Sequence, residues 1–176
     1  MAYTEVTNRR MKSMAHDRVR FGSVNDADAI CRIHRRSILE LGRSSYGPEQ
    51  CDSWATGLLP QNYRDAMVLK GETFLVAETN GSVVGFCSFK GDEIVGLYVD
   101  PQNGRQGVGT SLLRVAEEQI LAFGNRSIIL NAALSALDFY LAHGFRELER
   151  KPWKTRGGIE IEVCSMEKTG EPPMAR

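Results

Sequence analysis

The run from Ile94 to Leu113 constrains this chain more than any other stretch. It reads Ile94-Val95-Gly96-Leu97-Tyr98-Val99-Asp100-Pro101-Gln102-Asn103-Gly104-Arg105-Gln106-Gly107-Val108-Gly109-Thr110-Ser111-Leu112-Leu113. An apolar strand gives way to a turn broken by proline and glycine, and a helix follows with no linker. Such a turn brings backbone N–H groups and the positive end of a helix to one point, which suits an anion and above all a phosphate. Two common phosphate loops do not fit. Gly104 and Gly109 have the outer spacing of a P-loop, yet Thr110-Ser111 follow where a lysine is required. A dinucleotide fingerprint starting at Gly107 would need its third glycine at Leu112.

A second segment, Ile128 to Phe145, repeats the strand-then-helix pattern. Ser135 is placed to cap a short helix with Ala136, Phe139 and Tyr140 on its apolar side. Gly144 can end that helix in the left-handed conformation.

The remaining elements follow from period and punctuation. Arg18 to Phe21 is predicted as a first strand, and Asn25 to Asp28 caps a helix running to about Leu41. A second helix follows Pro48 and includes Trp54. Thr73 to Glu78 and Val83 to Lys90 flank Asn80-Gly81, a strong hairpin signal. Glu93 to Val99 is the next strand. A helix from Thr110 to Phe123 buries Leu112, Leu113, Ala116, Ile120 and Phe123, and Gly124 stops it. Ser127 to Leu130 and Ile159 to Met166 are the last predicted strands.

Strands in a run followed by β-α-β units imply a mixed α/β sheet in one domain, 18–168. Flanking tails are expected at 1–17, which lacks the apolar core of a signal peptide, and at 169–176. The chain has 22 basic and 22 acidic residues, so neither a nucleic-acid nor a membrane-surface footprint is visible. No apolar run reaches the length of a membrane span. Cys31, Cys51, Cys87 and Cys164 lack metal-ligand spacing, so no metal is expected and free thiols in a reducing cytoplasm are.

The two motifs together resemble the GNAT superfamily of N-acetyltransferases. Its pyrophosphate loop runs Gln/Arg-x-x-Gly-x-Gly/Ala after a strand ending Val-x-Pro, matched by Gly107-Val108-Gly109 and Val99-Asp100-Pro101. Its next βα unit ends Ala-x-x-Phe-Tyr-x-x-x-Gly-Phe, complete here as Ala136, Phe139, Tyr140, Gly144 and Phe145. One position departs, since the family's Gln or Arg falls at Gly104 and the nearest cation is Arg105. The segment Ser44 to Trp54 also resembles a subgroup of small-molecule acetyltransferases similar to YafP.

The resemblance implies the GNAT fold, a mostly antiparallel twisted sheet with helices on both faces and a splayed central strand pair. It implies acetyl-CoA as cofactor, held by Leu97, Tyr98, Val99, Gly104, Arg105, Gln106, Gly107, Val108, Gly109, Thr110, Ser135 and Phe139. Acetyl transfer from a thioester to an amine needs alignment, a polarised carbonyl, a proton for the departing thiolate and a base for the amine. By position in the family, the Leu97 N–H polarises the carbonyl and Tyr140 is the general acid. Glu93, sharing a face with Val95 and Leu97 under strict alternation, is either the base or part of a solvated turn. Gly96 is either a bulge or close approach, or an ordinary ladder glycine. A small-molecule amine would meet His34, Tyr46, Trp54 and Tyr98, with Trp153 from the loop before the last strand; such aromatics suit a cation. The alternatives are a protein or peptide amino-group acetyltransferase and a catalytically weak acyl-CoA-binding module. A homodimer is compatible with any of these.

Overall fold

The computed structural model describes residues 18–170, so the N-terminal segment and the final residues lie outside the described part. One seven-stranded sheet organises the chain, built from β1 (Arg18–Phe21), β2 (Thr73–Thr79), β3 (Ser82–Lys90), β4 (Glu93–Val99), β5 (Ser127–Ala133), β6 (Arg146–Lys154) and β7 (Glu160–Thr169). Their spatial order is β1-β2-β3-β4-β5-β7-β6. Every neighbouring pair is antiparallel except β4 and β5, which run parallel. The helices are α1 (Ala27–Leu41), α2 (Pro48–Ala55), α3 (Pro60–Leu69), α4 (Val108–Ala122) and α5 (Leu137–Ala142). None is long and apolar enough to cross a membrane.

Hydrophobic packing divides between the two faces of the sheet. On one face α4 buries Leu112, Leu113, Ala116 and Ile120 against Leu75, Cys87 and Ile128. Gly85 permits the close approach: a Cβ there would lie 3.0 Å from Val108 and 3.1 Å from Leu112. On the other face α1, α2 and α3 cover Phe74, Val76, Phe86, Ile161 and Val163. The β2–β3 hairpin turns on Asn80 (φ 51°) and Gly81 (φ 75°), both left-handed, as a two-residue primed turn requires.

Several sequence expectations are corrected. α4 starts two residues early, at Val108, and ends at Ala122, leaving Phe123 77% exposed beside the left-handed Gly124. α3 was not expected, because Pro60 opens it but its polar mixture gives no clean apolar stripe. β6 was missed too: its sequence, RELERKPWK, is almost wholly exposed and lies at the sheet edge, where alternation carries little signal. Trp153 therefore sits on a strand, not in a loop. Thr169 pairs with Ser127 and belongs to β7, so the fold extends past the expected boundary.

Candidate active site

The site begins where β4 and β5 part. They pair only at Glu93↔Ile129 and Ile94↔Leu130, while β5 continues beside β7 as far as Ala133↔Val163. Beyond Ile94 one edge of β4 therefore faces a gap. A bulge at the same place inserts Val95, 50% exposed, between the Phe89↔Ile94 and Ser88↔Gly96 pairs. The Asp100 N–H donates to the Val84 carbonyl at 2.8 Å, which makes Val99↔Gly85 and Leu97↔Cys87 the wide pairs of the ladder. The N–H groups of Leu97 and Val99 consequently point away from β3, into the gap.

The bulge also breaks the alternation expected for Glu93. Ile94, Leu97 and Val99 pack on the α4 side, whereas Tyr98 packs on the other, so Glu93 falls on the face of Gly96 and Tyr98 and not that of Leu97. Gly96 keeps its place opposite Ser88 with the Tyr98 ring folded over it; a Cβ would lie 3.0 Å from that ring.

Beyond β4 the chain is fixed by a carboxylate that sequence reasoning passed over. Buried Asp100 accepts from the Gln102 N–H at 3.0 Å and from the Arg36 guanidinium of α1 at 2.8 and 3.0 Å. Ser37, next along α1, donates to the Val99 carbonyl at 2.7 Å. From this anchor a 3-10 turn, Pro101–Asn103, leads through extended Gly104 into left-handed Arg105 (φ 59°) and Gly107 (φ 88°). Among the described residues, none of the backbone N–H groups from Arg105 to Thr110 has an acceptor; the first that does is Ser111, to the Gly107 carbonyl at 2.9 Å. A helix N-terminus leaves its first donors unpaired, and the two left-handed residues add the loop's own donors to them. This is a cradle for a polyanion.

The α5 segment forms the other wall. Phe139 lies 3.5 Å from where a Gly109 Cβ would be, within ordinary van der Waals contact of the loop. His143, also unremarked in the sequence, bridges the two helices. Its Nδ1 lies 2.7 Å from the Phe139 carbonyl, which can only accept, so Nδ1 carries the proton and the Thr110 hydroxyl donates to Nε2 at 3.1 Å. Tyr140 is buried between Phe139 and Phe145, ring centroids 5.2 and 5.5 Å away. Burial holds its phenol protonated well above the usual tyrosine range. Ser135 does not cap α5: it lies exposed in the 3-10 turn Leu134–Ala136, and Ala136 occupies the N-cap.

On the opposite face of the sheet stands an aromatic cluster. The His34 ring lies 3.9 Å from the Tyr98 ring, and its Nδ1 is 2.8 Å from the Tyr63 hydroxyl. Burial, with some repulsion from Arg156, lowers its pKa to about 3, so the imidazole is neutral, and Nε2 is buried without a partner. Tyr98 thus places its side chain on the α1 side, as a wall of this cluster, and spends its N–H in the narrow pair with Phe86. After burial and Cys87, the charge of Tyr98 adds to the upward push on the Tyr140 phenol.

Tyr46 plays another part than expected. Its hydroxyl donates to the Glu162 carbonyl at 2.7 Å and accepts from the Leu134 N–H at 2.9 Å. It ties β7 to the turn after β5, the part of a framework residue. Trp54 packs edge-on to both Tyr46 and Trp153, at 5.8 and 6.3 Å.

The tip between β6 and β7 is pinned to α2 through one serine. Gly157 N–H donates to the Ser53 carbonyl at 2.9 Å, Ser53 Oγ lies 2.6 Å from Thr155 Oγ1, and Ile159 N–H donates to Ser53 Oγ at 3.3 Å. A Cβ on Gly157 would come within 2.9 Å of Ser53 main-chain atoms. Tyr63, Ser53 and Arg156 escaped sequence reasoning; the Gly157-Gly158 pair was the one local signal that a hairpin tip stood here.

An opened parallel strand pair beside a run of unspent amides at a helix start now has a family to match. The model of the acetyltransferase (GNAT) domain matches residues 43–169, most of the chain. The chain belongs to the GNAT family. Among curated relatives of this N-acetyltransferase, the uncharacterised N-acetyltransferase YafP of Escherichia coli K12 is 26% identical over 132 residues, 75% of this chain and 83% of that protein. A GCN5-related N-acetyltransferase structure from Rhodopseudomonas palustris superposes with a TM-score of 0.81 at 29% identity, covering 88% of this chain and 96% of that one. The PaiA N-acetyltransferase of Thermoplasma acidophilum, solved in complex with coenzyme A, shares the fold with a TM-score of 0.71 at 21% identity, covering 88% and 99%. GNAT enzymes use acetyl-CoA.

Proposed function

We propose that this chain transfers the acetyl group of acetyl-CoA to the primary amine of a small molecule, by direct attack in a ternary complex. The observation that carries this reading is the unspent row of N–H groups from Arg105 to Thr110 next to the free Leu97 N–H in the β4–β5 gap. Bound acetyl-CoA supplies an activated thioester. The Arg105–Thr110 amides hold its pyrophosphate, with Gly104 and Phe139 shaping the cleft and Ser135 at its rim. Leu97 donates its N–H where negative charge grows on the carbonyl oxygen, which is worth most when the donor is already oriented. Val99 offers a second donor along the same edge. Tyr140 keeps a proton on Oη for the departing thiolate. Glu93, on the face of the aromatic cluster, takes the amine proton.

Closure on the acceptor side favours a small molecule over a polypeptide. Ser53 ties the β6–β7 tip down on α2, where Trp54 packs against Trp153, and on the same side of the sheet His34 packs against Tyr63 and Tyr98. The free, buried cysteines suit a reducing cytoplasm, where we place the reaction. A thiol-release screen with acetyl-CoA against small amines and peptides tests the reading. Turnover with small amines is expected; turnover with peptides alone would move the assignment to a protein acetyltransferase, and binding without turnover to a cofactor sensor.

A further inference from the structure

We propose that Arg156 selects acceptors that carry an oxyanion, such as a carboxylate, beside the amine to be acetylated. This rests on the acetyl-transfer reading above and adds to it the chemical class of the acceptor.

Three observations converge on this residue. First, Arg156 is held in place. It lies between Thr155 and Gly157, both bonded to Ser53, and Gly158 N–H closes the turn onto the Thr155 carbonyl at 3.0 Å. A cation on such a tip has a fixed origin for its side chain. Second, the tip adjoins the aromatics proposed to meet the acceptor: Trp153, on the same hairpin, packs against Trp54 at 6.3 Å, and the Arg156 charge adds to burial in lowering the pKa of His34. Third, Arg156 is exposed and, like several other arginines, forms no ion pair among the described residues, so its guanidinium is not already committed to a carboxylate.

The rings of the cluster offer hydroxyls and a neutral imidazole, to which Arg156 adds a positive charge, while Glu93 on the same face meets the amine. This revises the expectation that the aromatics serve a cation. A guanidinium presents a planar fork of donors that matches a carboxylate in two parallel hydrogen bonds. An amine bearing such a group would be gripped at two ends, its oxyanion at the β6–β7 tip and its nitrogen toward the gap below Leu97. The unpartnered His34 Nε2 adds a polar atom between them.

The test compares matched acceptors in the intact protein: amino acids against their carboxamides, and aminoalkylphosphonates against uncharged alkylamines. Wild-type kcat/KM is expected to favour the acids at least tenfold. Arg156→Met should lower kcat/KM for the acids by roughly 10–100-fold, the range for a charge-assisted hydrogen bond, mainly through KM. The carboxamides should lose far less, so the preference collapses. Arg156→Lys, which keeps the charge without the fork, should recover part of it. Equal losses for acids and amides, or a wild-type preference for uncharged amines, would overturn the proposal while leaving acetyl transfer intact. A melting assay with coenzyme A and each acceptor separates the two claims. Acids that stabilise the wild type but not Arg156→Met, with no turnover of any amine, would sustain the anion site and sink the acetyltransferase reading. Absence of any acid-specific stabilisation or turnover would overturn the anion site.

Discussion

The two faces of the sheet make their sites by opposite means. On the α4 side the chain offers main-chain groups: the Leu97 and Val99 amides at the gap, and the run from Arg105 to Thr110 at the helix start. On the α1 side it offers side chains drawn from distant segments: His34 from α1, Trp54 from α2, Tyr63 from α3, Tyr98 from β4 and Arg156 from the β6–β7 tip. Main-chain donors see any ligand with the same phosphate arm, which suits a donor common to a family. Side chains can be exchanged one at a time without disturbing the sheet, which suits an acceptor that varies. The difference predicts that damage to the first face abolishes all chemistry and damage to the second changes which amine reacts.

The largest expected effect is at Tyr140, buried on the α4 side. Tyr140→Phe should lower kcat by about 10²–10⁴-fold, the usual worth of general acid catalysis, with acetyl-CoA affinity unchanged. Single-turnover rates check this, and wild-type turnover in the variant would remove the tyrosine from proton transfer. Glu93→Gln should cost about 10²-fold at pH 7, the low end for a general base. The loss should shrink as pH rises toward the amine pKa near about 10, because free amine then needs no base. A pH–rate profile decides: equal loss at every pH would make Glu93 a positioning group, and no loss would hand the proton to water.

These expectations show how unevenly the sequence spoke. The cofactor face was legible because its signals are local. A Pro-Gly turn, the left-handed glycines at 107 and 144, and the Asn80-Gly81 hairpin each act within a few residues. Leu97 is picked by its position in the family resemblance, counted from Gly107-Val108-Gly109. The acceptor face was not, because each contact spans the chain: Ser53 meets Thr155, Tyr46 meets Glu162, and His34 meets Tyr63 through the fold. Composition marked Tyr46 and Trp54 as aromatics near the site but could not separate a framework tyrosine whose hydroxyl both donates and accepts from a free one. The bulge at Val95 is an intermediate example. One inserted residue moved Glu93 to the other face; Gly96 offered a bulge as one alternative, but not the change of face that follows from it.

A smaller perturbation probes the acceptor face alone. Gly157→Ala forces a methyl against the Ser53 backbone, a strain of about 1–3 kcal/mol. Denaturant unfolding should register that loss, and acceptor KM should rise while acetyl-CoA affinity holds. A parallel loss of acetyl-CoA affinity would show that the faces are not independent.

The mildest effect is acid sensitivity through His34. Its pKa is lowered to about 3 in the folded protein and returns to about 6.5 on unfolding. The folded state therefore binds fewer protons than the unfolded one between these values, so this contribution is whole above pH 6.5 and drains as pH falls toward 3. It amounts to about 2 kcal/mol by pH 5. His34→Gln should flatten the stability–pH slope over that window. An unchanged slope would mean that His34 already protonates in the fold.

Backbone amide exchange, followed residue by residue with and without acetyl-CoA, tests most directly whether main-chain groups build the cofactor face. Binding should protect the amides from Arg105 to Thr110, together with Leu97 and Val99, and leave Gly157 and Gly158 at the β6–β7 tip as they were. Saturating acetyl-CoA that leaves Arg105 to Thr110 exchanging at the free-protein rate would contradict the account.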